Sequence, residues 1–274
     1  MRALSGLAAA AYALALYAFI YLPVAVLVVF SFQDGRLPVP PFRPATTRWY
    51  EAVFADRDIT EALLHSLGVA ALSSALACLL GFLAAWGLAR ARLPGERAMR
   101  ALLAAPLTVS YLIIGLGLLV SFNLVGLSRS LWAVGIGHAV INTPLCFLIL
   151  AASMGAQQAG IERAARDLGA REWQVLWLVT APMLWPALFA AFALSVTFSW
   201  DEFVIAFLLT RFDVTLPVEI WSLLRSGLDP KTNAAGSVVF LVSVAVVLAV
   251  ELVVLGRGRD RKRGNGERGG GVRS

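Results

Sequence analysis

Six stretches of this 274-residue chain are long and apolar enough to cross a hydrocarbon core. Such a crossing takes about 20 consecutive, mostly apolar residues in a helix. The stretches run over about 11–31, 63–89, 101–125, 131–156, 183–209 and 235–255. Hydrophobic residues make up 59% of the chain and charged ones 15%. A soluble domain has about 45–50% and about 25%. A water-soluble globule of this size cannot hide so much apolar surface, and a disordered chain does not carry it. The expected class is all-α: an integral membrane bundle of six transmembrane helices. Pro23 and Pro144 fall inside spans, where neighbouring helices can satisfy the freed carbonyls. The first window is long for a signal-peptide core, and no A-x-A site precedes Gln33, so it is expected to remain as the first span.

The net charge is +6, and location explains it better than nucleic-acid binding does. Seven basic residues between Arg257 and Arg273 follow the last apolar run directly. They read as a disordered membrane-flanking tail over 257–274, after a transmembrane domain over 1–256. With the N-terminus inside, inner segments hold 15 of the 23 basic residues and outer ones hold 8. That bias places both termini in the cytoplasm. Cys78 and Cys146 sit in apolar runs without metal spacing, and read as small buried hydrophobes. His65 and His138 belong to no motif of a base or ligand. The chain has no GxxxxGK[ST], no G-x-S-x-G and no H-E-x-x-H, so neither a nucleotide, a cofactor, a metal nor a hydrolytic centre is expected on it. Gly115, Gly117, Gly135 and Gly137 suit close helix packing. Short outer helices are expected over TRWYEAVF after Thr46 and over Val218–Arg225.

Two polar elements interrupt the apolar pattern. The first is the inner connection 157–182. Ile161, Ala164, Ala165 and Leu168 recur at i, i+3, i+4 and i+7, one narrow apolar face of a two-turn helix. Glu162, Arg163, Arg166 and Asp167 take the remaining surface, and Gly169 is placed to end the helix in a left-handed conformation. A second amphipathic helix follows, with Trp173, Leu176, Trp177 and Thr180 on one side. Read alone, this is either an interfacial connector or a docking element for a cytoplasmic partner. The second element is Asp201-Glu202 inside the fifth window, flanked by Trp200 and Phe203, with no Arg or Lys within four residues. Ionisable groups at membrane depth are costly and are functional candidates. These carboxylates either face a water-filled path that attracts a cation, sit where the span breaks, or bond nearby backbone.

The pattern Glu162-x-Ala164-Ala165-x-x-x-Gly169, followed by Pro182 and Pro186, resembles the EAA loop of ABC-importer permease subunits of type I. The segments FSWDEFVIAFLLT (198–210) and TLPVEIWSLLRSGLDPKTNA (215–234) are similar to the second permease subunit of spermidine/putrescine importers. That resemblance implies a permease subunit that forms the translocation path of an ATP-driven importer in the cell inner membrane, with polyamines as the leading cargo and ferric iron or an opine-like amino compound as alternatives. It implies a second permease subunit, ABC ATPase subunits that consume the ATP, and an extracytoplasmic binding protein. Glu162, Ala164, Ala165, Asp167 and Gly169 would then form the ATPase-coupling loop, with Glu162 facing a basic group on the ATPase. Trp200, Asp201, Glu202 and Phe203 would line the path. By that resemblance, Arg163 stands where many relatives carry a second acidic or another polar residue. Two rivals stand outside this resemblance: a secondary transporter, and a membrane enzyme with Asp201 and Glu202 as an acid/base pair.

Overall fold

The structure is a computed structural model, and it describes residues 2–35, 44–91, 94–227, 230–245 and 248. Its helices are α1 (Arg2–Ser31), α2 (Arg48–Ala55), α3 (Arg57–Arg90), α4 (Glu96–Ala104), α5 (Tyr111–Leu124), α6 (Leu131–Ser153), α7 (Ala156–Asp167), α8 (Glu172–Gln174), α9 (Ala181–Met183), α10 (Trp185–Trp200), α11 (Val204–Leu209), α12 (Leu216–Ser226) and α13 (230–245). Among the described residues there is no strand beyond an isolated bridge between Gln33 and Ala45. The two expected short outer helices are α2 and α12.

Three helices are each long and apolar enough to cross a membrane: Ala10–Ser31, Arg57–Arg90 and Leu131–Ser153. The third and fifth windows are bent rather than single rods. Glu96–Thr108 meets Tyr111–Leu124 at 105°. There a 3₁₀ turn carrying Pro106 gives way to extended backbone at Val109, with ψ of 138°, and at Ser110, with ψ of 135°. The fifth window is bent by 76° on its approach, between Glu172–Met183 and Trp185–Trp200, and breaks again after Trp200. Counting each bent pair as one span gives up to five. The sixth window overlaps α13, and its remainder and the basic tail lie outside the described residues.

The chain divides into two compact units. The first combines residues up to 63 with 218–242. In it, the start of α2 is fastened to the end of α1. Tyr50 and Ser31 share a hydroxyl bond of 2.7 Å, the Trp49 indole donates to the Gln33 carbonyl at 2.8 Å, and Arg48 pairs with Asp34 at 2.5 Å. Asp56 caps α3 by accepting from the Asp58 and Ile59 amides at 2.9 and 3.3 Å, and it pairs with Lys231. Caps of this kind satisfy amides that lack an intrahelical partner.

The second unit, 64–217 with 243 onward, holds both polar elements. Its core joins Ala77, Phe82 and Ala85 of α3 to Cys146, Phe147 and Leu150 of α6, with Leu184 and Ala191 leading into α10. Cys78 and Cys146 are buried free thiols, as expected. The tightest approach is at Gly81, where an added Cβ would lie 2.7 Å from the Phe147 amide nitrogen and 2.8 Å from the Cys146 Cβ. Only glycine lets α3 and α6 come so near. Among the four glycines expected to permit packing, Gly115 and Gly137 do so against α11. An added Cβ would lie 2.7 Å from Leu208 and 2.6 Å from Ile205 respectively, whereas Gly117 and Gly135 face open space.

Candidate functional site

The elbow between α7 and α8 is a Schellman turn. The Gly169 amide donates to the Arg166 carbonyl at 2.8 Å, and the Ala170 amide to the Ala165 carbonyl at 3.1 Å. Gly169 has φ +88°, a conformation that costs other L-residues energy and glycine little. The new direction is held at once, because the Arg171 amide donates to the Gln174 side chain at 2.8 Å and Arg166 grips Glu172 with two bonds of 2.7 and 3.0 Å. The Glu172 carboxyl is held below its ordinary range, chiefly by the hydrogen bond from Arg166.

Glu162 is not on the surface. It is 0% exposed, and its carboxylate is met by three donors. The Arg90 guanidinium, from the end of α3, gives two bonds of 2.5 and 3.1 Å, and the Thr180 hydroxyl gives one of 2.8 Å. Arg166 lies 3.9 Å away. The expectation that Glu162 faces a basic group on a partner is therefore replaced by an internal pair. A carboxylate drawn into a helix–helix contact needs its charge matched there, and Arg90 supplies the match in a two-pronged geometry. Gln158, one turn earlier, is the other buried residue of α7.

The apolar stripe points outward. Ile161 and Ala164 are exposed, Ala165 is half-buried, and Leu168 is 90% exposed. Arg163, Asp167 and Gly169 are exposed beside them. The second half of the connection also departs from the expected single face. Val175–Thr180 winds as a π-helix, so Leu176 and Thr180 turn inward while Trp173 and Trp177 stay exposed. The wider turn changes which side chains align, and it delivers Thr180 to Glu162. A cavity of about 790 Å³ opens between the end of α3 and α7, bordered by Trp86, Arg90, Ala159, Arg163 and Glu172.

The second element is the gap between α10 and α11. Asp201 is exposed. Glu202 is buried and caps α11, accepting from the amides of Val204, Ile205 and Ala206 at 3.0, 2.9 and 3.3 Å. Of the readings left open for Glu202, the bond to nearby backbone is present. His138, which fits no sequence motif, is 1% exposed and lies 3.3 Å from Glu202 and 2.7 Å from the Ser199 hydroxyl. Trp200 is buried with its indole donating to Ser243 at 3.0 Å. Phe203 is half-buried and stacks on Phe207 with centroids 5.4 Å apart. Of the four candidates, Asp201 is the one whose side chain stays exposed.

Apolar helices long enough to cross a membrane, bent spans and a polar elbow between two of them are the features of a multi-pass membrane protein. The chain belongs to the family of binding-protein-dependent transport system inner membrane components, whose sequence profile matches residues 77–258. It is 30% identical to the spermidine/putrescine transport system permease protein PotC of Shigella flexneri, over 92% of this chain and 94% of that protein. It is also 30% identical to the putrescine transport system permease protein PotI of Escherichia coli K12, over 90% of each. Its fold matches a chain of a bacterial ABC transporter involved in the import of the acidic polysaccharide alginate, with a TM-score of 0.69, 19% identity and coverage of 92% and 96%. The protein is a permease subunit of an ABC importer, a transport component and not an enzyme.

Proposed function

We propose that this chain forms one half of the path of a polyamine importer for spermidine or putrescine, with both termini in the cytoplasm. Its similarity to two polyamine permeases along some nine-tenths of its length carries this reading. A second permease subunit completes the path, and an extracytoplasmic binding protein delivers the cargo. The exposed face of α7 around Ile161, Ala164 and Leu168, with the Gly169 elbow, docks on an ATPase subunit. This chain binds no nucleotide; the ATPase consumes the ATP. ATP-driven closure pushes the elbow, and the Arg90–Glu162 pair passes the push to α3. The importer alternates between two states whose balance ATP binding shifts. Asp201 offers the cationic cargo an exposed carboxylate at the helix break.

The test is uptake by the four-component system in proteoliposomes. Labelled spermidine or putrescine should accumulate only with ATP inside and loaded binding protein outside, and Asp201→Asn should lower that uptake. Accumulation of ferric iron or an opine-like compound in place of polyamine would reassign the cargo. Uptake without any ATPase subunit would remove the importer mechanism.

A further inference from the structure

Nothing in the backbone of residues 201–203 forces a break. The segment holds no proline, and none of its residues has positive φ. Apolar residues flank it on both sides, so a continuous helix is the local alternative. Tertiary contacts decide otherwise. His138, a third of the way along α6, meets the last turn of α10 through Nδ1, 2.7 Å from Ser199 Oγ. Its Nε2 lies 3.3 Å from Glu202 Oε2. Glu202 in turn closes the first turn of α11 with three amide bonds. Ser199 is also 3.0 Å from Ser73 Oγ on α3. One buried imidazole thus spans the break from end to end, while Asp201 within it stays exposed.

Carboxylate, imidazole and hydroxyl in this order also describe a nucleophilic triad. Here the hydroxyl is buried and shared with Ser73, and no face is left for a substrate. The imidazole is hydrogen-bonded on its Ser199 side, and its Nε2 is a close neighbour of Glu202 rather than a hydrogen-bond partner.

We infer that His138 and Glu202 are positioning residues of the translocation path: together they hold open the helix break that displays Asp201. The role of Asp201 toward cargo rests on the proposed function, whereas its display by this pair does not. Without the pair, residues 200–204 close into helix, and the side chains of Val204 and Ile205, three and four positions on, lean back over Asp201.

The experiment places Asp201→Cys in the assembled transporter and follows its modification by a cationic, membrane-impermeant methanethiosulfonate, read by mass spectrometry. Cys78 and Cys146 are buried, and the wild-type chain supplies the background. Adding His138→Leu or Glu202→Leu should slow modification about tenfold, because the reactive population falls with the open break. Ser199→Ala, a milder change that keeps the fold, should slow it about threefold. His138→Gln, which still reaches one partner, should restore most of the rate. An unchanged rate in the Leu variants, or in Ser199→Ala should the Leu variants fail to assemble, overturns the inference. Uptake is measured in parallel with Asp201 intact. His138→Leu should lower the maximal rate and leave the half-saturating concentration of loaded binding protein unchanged. Slowed modification with undiminished uptake would keep the positioning role and remove the cargo role of Asp201.

Discussion

The Arg90–Glu162 pair makes a prediction that stability and transport can test separately. The carboxylate is wholly buried, and the guanidinium side chain is 17% exposed. Breaking a buried pair by removing one partner costs about 3–5 kcal/mol, because a charge is left without a match. Arg90→Ala belongs at the top of that range. It leaves Glu162 with the Thr180 hydroxyl and with Arg166 at 3.9 Å. Glu162→Ala belongs at the bottom, since Arg90 retains some exposure and can recover water. The two changes together should cost less than their sum by about 1–3 kcal/mol, the coupling expected of contacting groups. A third variant is decisive. Arg90→Met with Glu162→Met replaces the pair by apolar volume, which is often neutral for stability. It should unfold at nearly the wild-type denaturant concentration, yet hydrolyse ATP with little uptake, because the loop no longer grips α3. Denaturant titration in mixed micelles and coupled uptake/ATPase measurements in proteoliposomes provide the readouts. Additive single variants, with coupling below about 0.5 kcal/mol, would refute the energetic argument. Full uptake by the double Met variant would refute the mechanical one.

Three further outcomes follow from other sites. An added Cβ at Gly169 meets nothing within 4 Å, so Gly169→Asp pays only for its left-handed backbone, about 1–2 kcal/mol; it should insert and express normally, yet show uncoupled ATP hydrolysis in the same proteoliposome assay. Gly81→Ala should cost about 1–3 kcal/mol by overpacking against the α6 backbone. Gly87→Ala, with open space around it, should be neutral or stabilising, and chemical denaturation ranks the pair. The Asp56 carboxyl is held below its ordinary value of 3.8, chiefly by the hydrogen bond from Lys231. Its stabilisation is therefore present above that value and is lost as pH falls through the lower folded one. Asp56→Asn should remove about 1 kcal/mol or less and flatten the loss of stability below pH ~4.

The elements legible in the sequence carry their causes locally. Gly169 announces the elbow because a left-handed residue is needed after α7, and α2 and α12 follow from short amphipathic stretches between spans. The Asp201-Glu202 dipeptide leaves three readings open, a path, a break or a backbone bond, and the partners that decide among them lie on other helices. What stayed hidden depends on partners far along the chain. Arg90 and Glu162 are 72 residues apart, and His138 and Ser199 are 61 apart. Periodicity gave α7 an apolar face without saying whether it turns in or out. The buried side is the one carrying Gln158 and Glu162, since Arg90 and Thr180 offer that carboxylate better partners than water near a bilayer. The break at Val109–Ser110 left one faint signal, Pro106 inside an apolar run.

Leu168 at the tip of the elbow is 90% exposed. Until something caps it, a newly made copy displays a bare greasy knob beside a bent, polar handle. Quality-control machinery binds such knobs, and small shifts in how often they are displayed change abundance several-fold. Orphan copies should therefore be short-lived, and the cell's stock of this subunit should track the supply of whatever covers that leucine.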